Sequence, residues 1–140
     1  TGGLIAKKIT DISGASNCFH CGMVTYSNDQ KEKLLGVSHS TLESYGAVSE
    51  QTALEMSRGV MERTGADIGI GITGIAGPGG GSTEKPVGLV YISVCSKDVH
   101  RAYKLNLTGD RDMIRERASL YVLDMVRRCV LGILGADYIW

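Results

Sequence analysis

The sequence predicts a single α/β domain over residues 1–140, a three-layer α/β/α sandwich around a mixed, mostly parallel sheet. Three observations carry this. Apolar segments of strand length alternate with segments whose apolar residues recur at helical spacing. Two strand-like segments are joined by the short turn Ser96-Lys97-Asp98, which adds a hairpin to the alternating pattern. No linker, repeat or low-complexity stretch divides the 140 residues, a length that suits one domain with its own core.

Leu4 to Ile9 reads as a short helix, with Leu4, Ile5 and Ile9 inward and Lys7 and Lys8 outward. Gly14-Ala15-Ser16-Asn17 is a turn, and Phe19 to Tyr26 reads as a strand. Ser27 or Asn28 caps a helix through Leu35 that Gly36 ends. Ser40-Thr41-Leu42-Glu43 fits a capping box for a short helix ended by Gly46. Ser49 caps a longer helix to about Thr64, with Ala53, Met56, Val60 and Met61 inward. Ile68 to Ile72, Val87 to Val94 and Val99 to Leu107 are strands. Asp110 caps a final helix to about Leu131, whose inward stripe is Ile114, Ala118, Tyr121, Val122, Met125 and Cys129.

A formal net charge of zero argues against a dedicated binder of nucleic acid or anionic membrane, which needs a basic excess. No stretch reaches the roughly 18 apolar residues of a membrane helix. Thr1-Gly2-Gly3 lacks the basic-then-apolar opening of a secretory signal, and a cytoplasmic location is expected. Cys18-Phe19-His20-Cys21 looks like half a zinc site, but no second pair stands at ligand spacing. The four cysteines are therefore expected to be buried free thiols in a reducing compartment, and no metal is expected.

Gly69-Ile70-Gly71-Ile72-Thr73-Gly74 matches G-x-G-x-x-G, but its glycines lie inside a strand rather than at a strand-to-helix turn. They are expected to let a helix pack closely. No phosphate-loop lysine follows Gly77 to Gly81 either. The long connection Thr73–Gly81 is a different feature: loops of that length without their own structure are functional or mobile, and a ligand-facing role is the sharper reading. Arg111 and Arg115 share a face at the start of the last helix. Either they take an anionic ligand there, or they pair with Asp110, Asp112 or Glu116. Lys31 follows a predicted strand end; it is either solvated surface or, at the mouth of a pocket, a general base with its amine desolvated.

Several segments together resemble one family. They are Thr1-Gly2-Gly3-Leu4, Thr25-Tyr26-Ser27-Asn28 with Lys31, Gly46-Ala47-Val48-Ser49, Thr73-Gly74-Ile75-Ala76-Gly77-Pro78-Gly79-Gly80, Lys85-Pro86-Val87-Gly88 and Gly109-Asp110-Arg111. In order and over nearly the whole chain, they are similar to the CinA C-terminal-domain family, the nicotinamide-nucleotide amidohydrolases. The resemblance implies hydrolysis of nicotinamide mononucleotide to nicotinic acid mononucleotide and ammonia by a Ser-Lys dyad, without metal or redox cofactor.

Carried over residue by residue, the resemblance makes Lys31 the base, with Tyr26 beside it in the catalytic set. Gly2 and Gly3 would supply N–H groups to the oxyanion. Thr1, Asn28, Thr73, Gly74 and Gly77 would contact substrate, Thr73 with Tyr26 on the pyridine and ribose side. Arg111 and Arg115 would hold the phosphate. A homo-oligomer, dimer or larger, is implied. The family's serine stands two positions before the threonine that matches Thr1, so a longer chain with that serine and a preceding helix is expected. Cys21 replaces a usual glycine, and the tail Gly135–Trp140 matches nothing in the pattern. The alternatives are a nucleotide-binding or regulatory module without hydrolase activity, and a structural oligomerisation domain that would leave the glycine-rich loop unexplained.

Overall fold

The computed structural model describes residues 1–135; the unmatched tail beyond Gly135 lies outside them. Helix α1 (Leu4–Thr10) leads through a 3-10 turn (Ala15–Asn17) to α2 (Asn28–Leu35), α3 (His39–Tyr45) and α4 (Glu50–Thr64). Strands β1 (Gly69–Gly74), β2 (Leu89–Cys95) and β3 (His100–Asn106) follow, and α5 (Arg111–Val130) closes the chain.

Local chemistry sets these boundaries. The Ser27 Oγ accepts from the Gln30 N–H at 3.3 Å, and Gly36 ends α2 at φ 69°, a left-handed conformation that glycine enters without Cβ strain. Ser49 and Asp110 cap α4 and α5 in the same way, accepting from Thr52 and Met113. The expected box at Ser40–Glu43 does not form, because Ser40 lies inside α3 and the N-cap Ser38 makes no side-chain cap bond. Glu55 of α4 does the capping instead, accepting from the Ser38 N–H at 2.7 Å and the Thr41 hydroxyl at 2.6 Å.

The sheet corrects the sequence reading. Among the described residues it has three strands in the order β1-β2-β3, both pairs antiparallel, with Gly71 opposite Ser93 and Ile92 opposite Tyr103. A parallel pair needs a crossover, usually a helix, and residues 75–88 between β1 and β2 contain none. The expected strand from Phe19 to Tyr26 joins no ladder. The three layers do form. Ile5, Ile114, Ala118, Val122 and Met125 cover Val90, Ile92 and Val94 on one face, while α4 covers the other. Tyr121 and Cys129 are only half-buried at the rim of that stripe.

The glycines of β1 face α4, as their alternation predicts. A Cβ on Gly69 would overlap the Ser57 carbonyl oxygen, and one on Gly71 would overlap the Ala53 carbonyl oxygen. With no side chain at Gly71, the Ser93 hydroxyl of β2 reaches past it and donates to the Ala53 carbonyl. The α4 residues at this contact are correspondingly small: Ala53 and Ser57 are both buried. Val60 and Met61, expected inward with them, are half-buried.

Gly71→Ala is expected to destabilise the domain by about 2–3 kcal/mol, because rigid helix backbone must move. Gly79→Ala, with nothing within 4 Å of the added carbon, is expected to stay within about 0.5 kcal/mol of the parent. Urea midpoints of the two variants check the contrast; equal midpoints would refute the close-packing role of Gly71.

Candidate active site

A cleft of about 520 Å³ runs along the edge of β1 that faces away from β2. Its walls change character from end to end. Met56 and Val60 of α4 and Ile5 and Ala6 of α1 make one part apolar, and the other part gathers Thr1, Thr25, Tyr26, Lys31, Arg111 and Arg115.

Lys31 is only 7% exposed. It sits one turn into α2, whose start is fixed by the Ser27 cap and whose end by Gly36. Its Nζ donates to the Thr25 carbonyl at 3.0 Å, and burial holds its amine below the ordinary lysine range. Among the described residues no carboxylate is bonded to it. The Thr25 hydroxyl oxygen beside it is buried with no hydrogen-bond partner among the described residues.

Gly2 and Gly3 have φ of 60° and 87°, and Gly3 is the N-cap of α1. The Gly3 carbonyl accepts from the Lys7 N–H, while neither glycine's own N–H has a protein acceptor among the described residues. The two arginines have different attachments. Arg115 donates Nε–H to the Thr1 carbonyl at 3.1 Å and pairs with exposed Asp112 at 3.2 Å, so the intrahelical pairing is real for this residue. Arg111 donates to the Gly77 carbonyl at 2.8 Å and to the Tyr26 hydroxyl at 3.3 Å. Lys31, Arg111 and Arg115 line the same cleft as Thr1, so three cations gather around the start of this segment.

The remaining expected site residues divide. Tyr26 is 78% exposed at the rim, and Asn28 stands beside it at the start of α2. Thr73 and Gly74 line the cleft, but the Thr73 hydroxyl donates to the Ala47 carbonyl at 2.6 Å and so fixes the entry to α4. Gly77 is not on the wall; its carbonyl holds Arg111. The glycine-rich arm 78–81 is exposed and turned away, so only the first residues of the long connection face the cleft. Lys85 ties that arm to the fold by donating to the Tyr45 carbonyl at 2.6 Å.

One sequence expectation needs correction here. Cys18 and Cys21 are exposed on the cleft wall, not buried, because segment 19–26 joins no sheet; Cys95 is buried and Cys129 half-buried. Among the described residues, no group of three or more His, Cys, Asp or Glu side chains could hold a metal ion. Sequence reasoning missed the Thr25 carbonyl, since a backbone acceptor leaves no mark in residue identity.

The family model described as the CinA C-terminal domain matches residues 1–130. A competence-damage inducible protein of Thermoanaerobacter pseudethanolicus is 57% identical over 133 residues, covering 95% of this chain and 32% of that protein. A CinA-like protein of Kosmotoga olearia is 51% identical, covering 96% of this chain and 32% of its own length. The chain thus spans about a third of the curated relatives it matches. The crystal structure of the competence/damage inducible protein CihA from Agrobacterium tumefaciens superposes with a TM-score of 0.88 at 43% identity, covering 90% of this chain and 78% of that one. A CinA superfamily protein of Escherichia coli gives 0.87 at 33%, covering 91% and 74%.

The buried amine has a stability consequence. Below its lowered folded value Lys31 is charged in both the folded and unfolded chain, and the desolvation penalty is complete. As pH rises towards the unfolded value near 10.5 the penalty is relieved. Lys31→Met should therefore melt about 2–4 °C above the parent at pH 7, with the difference shrinking as pH approaches 10.5. Melting curves across that range check it; a difference independent of pH would refute a strained Lys31 charge.

Proposed function

The chain belongs to the CinA C-terminal domain family, and from that premise we propose that the protein containing it hydrolyses the carboxamide of nicotinamide mononucleotide, giving nicotinic acid mononucleotide and ammonia. The observation that carries the proposal is Lys31: a buried amine, bonded to a backbone carbonyl, in the cleft that Arg111 and Arg115 also line.

In this reading a serine two positions before Thr1 is the nucleophile. Its Oγ–H proton passes to the neutral Lys31 Nζ as Oγ bonds to the carboxamide carbon. The open N–H groups of Gly2 and Gly3 receive the tetrahedral oxyanion. Collapse breaks the C–N bond; Lys31 returns the proton to the departing nitrogen, ammonia leaves, and water hydrolyses the acyl-enzyme by the same route. Burial that lowers the Lys31 pKa serves this role directly, because only the unprotonated amine is a base.

The attachments of the arginines assign their roles in the proposal. Arg115 has an exposed carboxylate as its ionic partner, a contact worth about 0–1 kcal/mol, and its Nη2 lies towards Gly2. A phosphate replaces Asp112 there at little cost. Arg111 is engaged with Gly77 and Tyr26, so it holds loop and ring in place as well as adding charge.

In the full-length protein, Lys31→Ala should lower ammonia release from nicotinamide mononucleotide by about 100-fold or more, and unchanged turnover would remove Lys31 as the base. Arg115→Ala should raise KM for the mononucleotide more than for the riboside that lacks its phosphate. Equal effects on both would remove the phosphate assignment, and binding without any ammonia release would favour a regulatory nucleotide-binding module.

A further inference from the structure

Of the four free cysteines, Cys18 and Cys21 alone are exposed, and both line the wall of the cleft. They stand on unequal ground. Cys18 closes the 3-10 turn: its N–H donates to the Ala15 carbonyl at 3.0 Å, the Phe19 N–H donates to the same oxygen at 2.8 Å, and its Sγ lies 3.5 Å from it. From His20 to Tyr26, by contrast, the backbone makes no hydrogen bond to other backbone among the described residues. Cys21 therefore rides on a length of wall that no turn or ladder fixes.

Residues three apart share a side of this segment. The Phe19 ring lies over Gly22, where an added Cβ would come to 3.1 Å from its Cζ. The same spacing relates Cys18 to Cys21. A chain with three residues per turn rises about 3.1 Å per residue, which sets their Cα atoms roughly 9 Å apart. A disulfide needs about 4.4–6.8 Å, so closing one draws Cys21 towards the fixed turn by roughly 2–5 Å. The unbonded backbone permits that movement. Gly22, Met23 and Val24 follow Cys21 along the cleft wall, and the Thr25 carbonyl beyond them holds Lys31.

We infer that Cys18 and Cys21 are a reversible thiol–disulfide pair, oxidised by small organic disulfides, and that the bond between them reshapes the cleft wall. One cysteine thiolate attacks a sulfur of the small disulfide, which breaks that S–S bond, forms a mixed disulfide and releases one small thiol. The other cysteine then attacks the protein sulfur of the mixed disulfide, forming the Cys18–Cys21 bond and releasing the second small thiol. The pair gives up two electrons and two protons, and both leave on the two small thiols. An exposed disulfide of this kind is readily reduced, so added thiol reverses the change. The pair needs nothing from the hydrolysis proposed above.

Treating the folded full-length protein with glutathione disulfide, then unfolding it, counting thiols and mapping peptides, tests the pair. Two thiols should be lost with no glutathione retained and one new cross-link, Cys18 to Cys21, and dithiothreitol should restore both thiols. Cys18→Ser, with no second thiol to complete the exchange, should instead keep one glutathione on Cys21. An unchanged thiol count, glutathione left on both cysteines of the parent, or cross-linked dimers would each overturn the pair. Amide NMR spectra read the wall: the Thr25 and Lys31 resonances should shift when the parent is oxidised and stay in place in the treated Cys18→Ser/Cys21→Ser double variant. Resonances that do not move in the oxidised parent would overturn the reshaping.

Discussion

The contact between the α4 backbone and the glycine face of β1 positions everything that follows. Absent side chains at Gly69 and Gly71 let the helix lie against the strand, and the Ser93 hydroxyl fastens it there through the Ala53 carbonyl. The same logic recurs one layer further out. Gly59 of α4 leaves room for the Leu35 carbonyl at the end of α2, where a Cβ would overlap it. The depth of α2, and with it the burial of Lys31, is therefore set by two successive contacts at which only hydrogen fits. Close packing of this kind transmits displacement rather than absorbing it.

Charge is arranged with similar economy. A chain of zero net charge concentrates Lys31, Arg111 and Arg115 in one cleft, and among the described residues none of the three has a buried carboxylate for a partner. Arg111 and Arg115 instead lean on the carbonyls of Gly77 and Thr1. Carbonyl dipoles orient a guanidinium without cancelling its charge.

Much of this was legible in the sequence. The caps at Ser27, Ser49 and Asp110 stand where local chemistry puts them, and the G-x-G-x-x-G match was readable as a packing surface because its period was that of a strand. Lys31, Arg111 and Arg115, far apart in the chain, line one cleft. What failed depended on partners distant in the chain. Strand direction followed from the missing crossover helix rather than from composition. The Ser40–Glu43 box lost to a carboxylate from α4. The glycine-rich arm looked like the ligand wall because its length and glycines are conspicuous, yet Arg111 and Lys85 anchor it by backbone carbonyls that no motif records.

The carboxylate of Glu55 has a further meaning for how the domain comes apart. At seven residues, α3 is too short to persist by itself. Its first turn is satisfied by a side chain belonging to another helix. An opening that lifts α4 from the sheet removes that carboxylate in the same motion, so α3 has no independent melting of its own. The short helix therefore depends on α4 for its start, and anything that displaces Glu55 leaves the Ser38 N–H and the Thr41 hydroxyl without that acceptor.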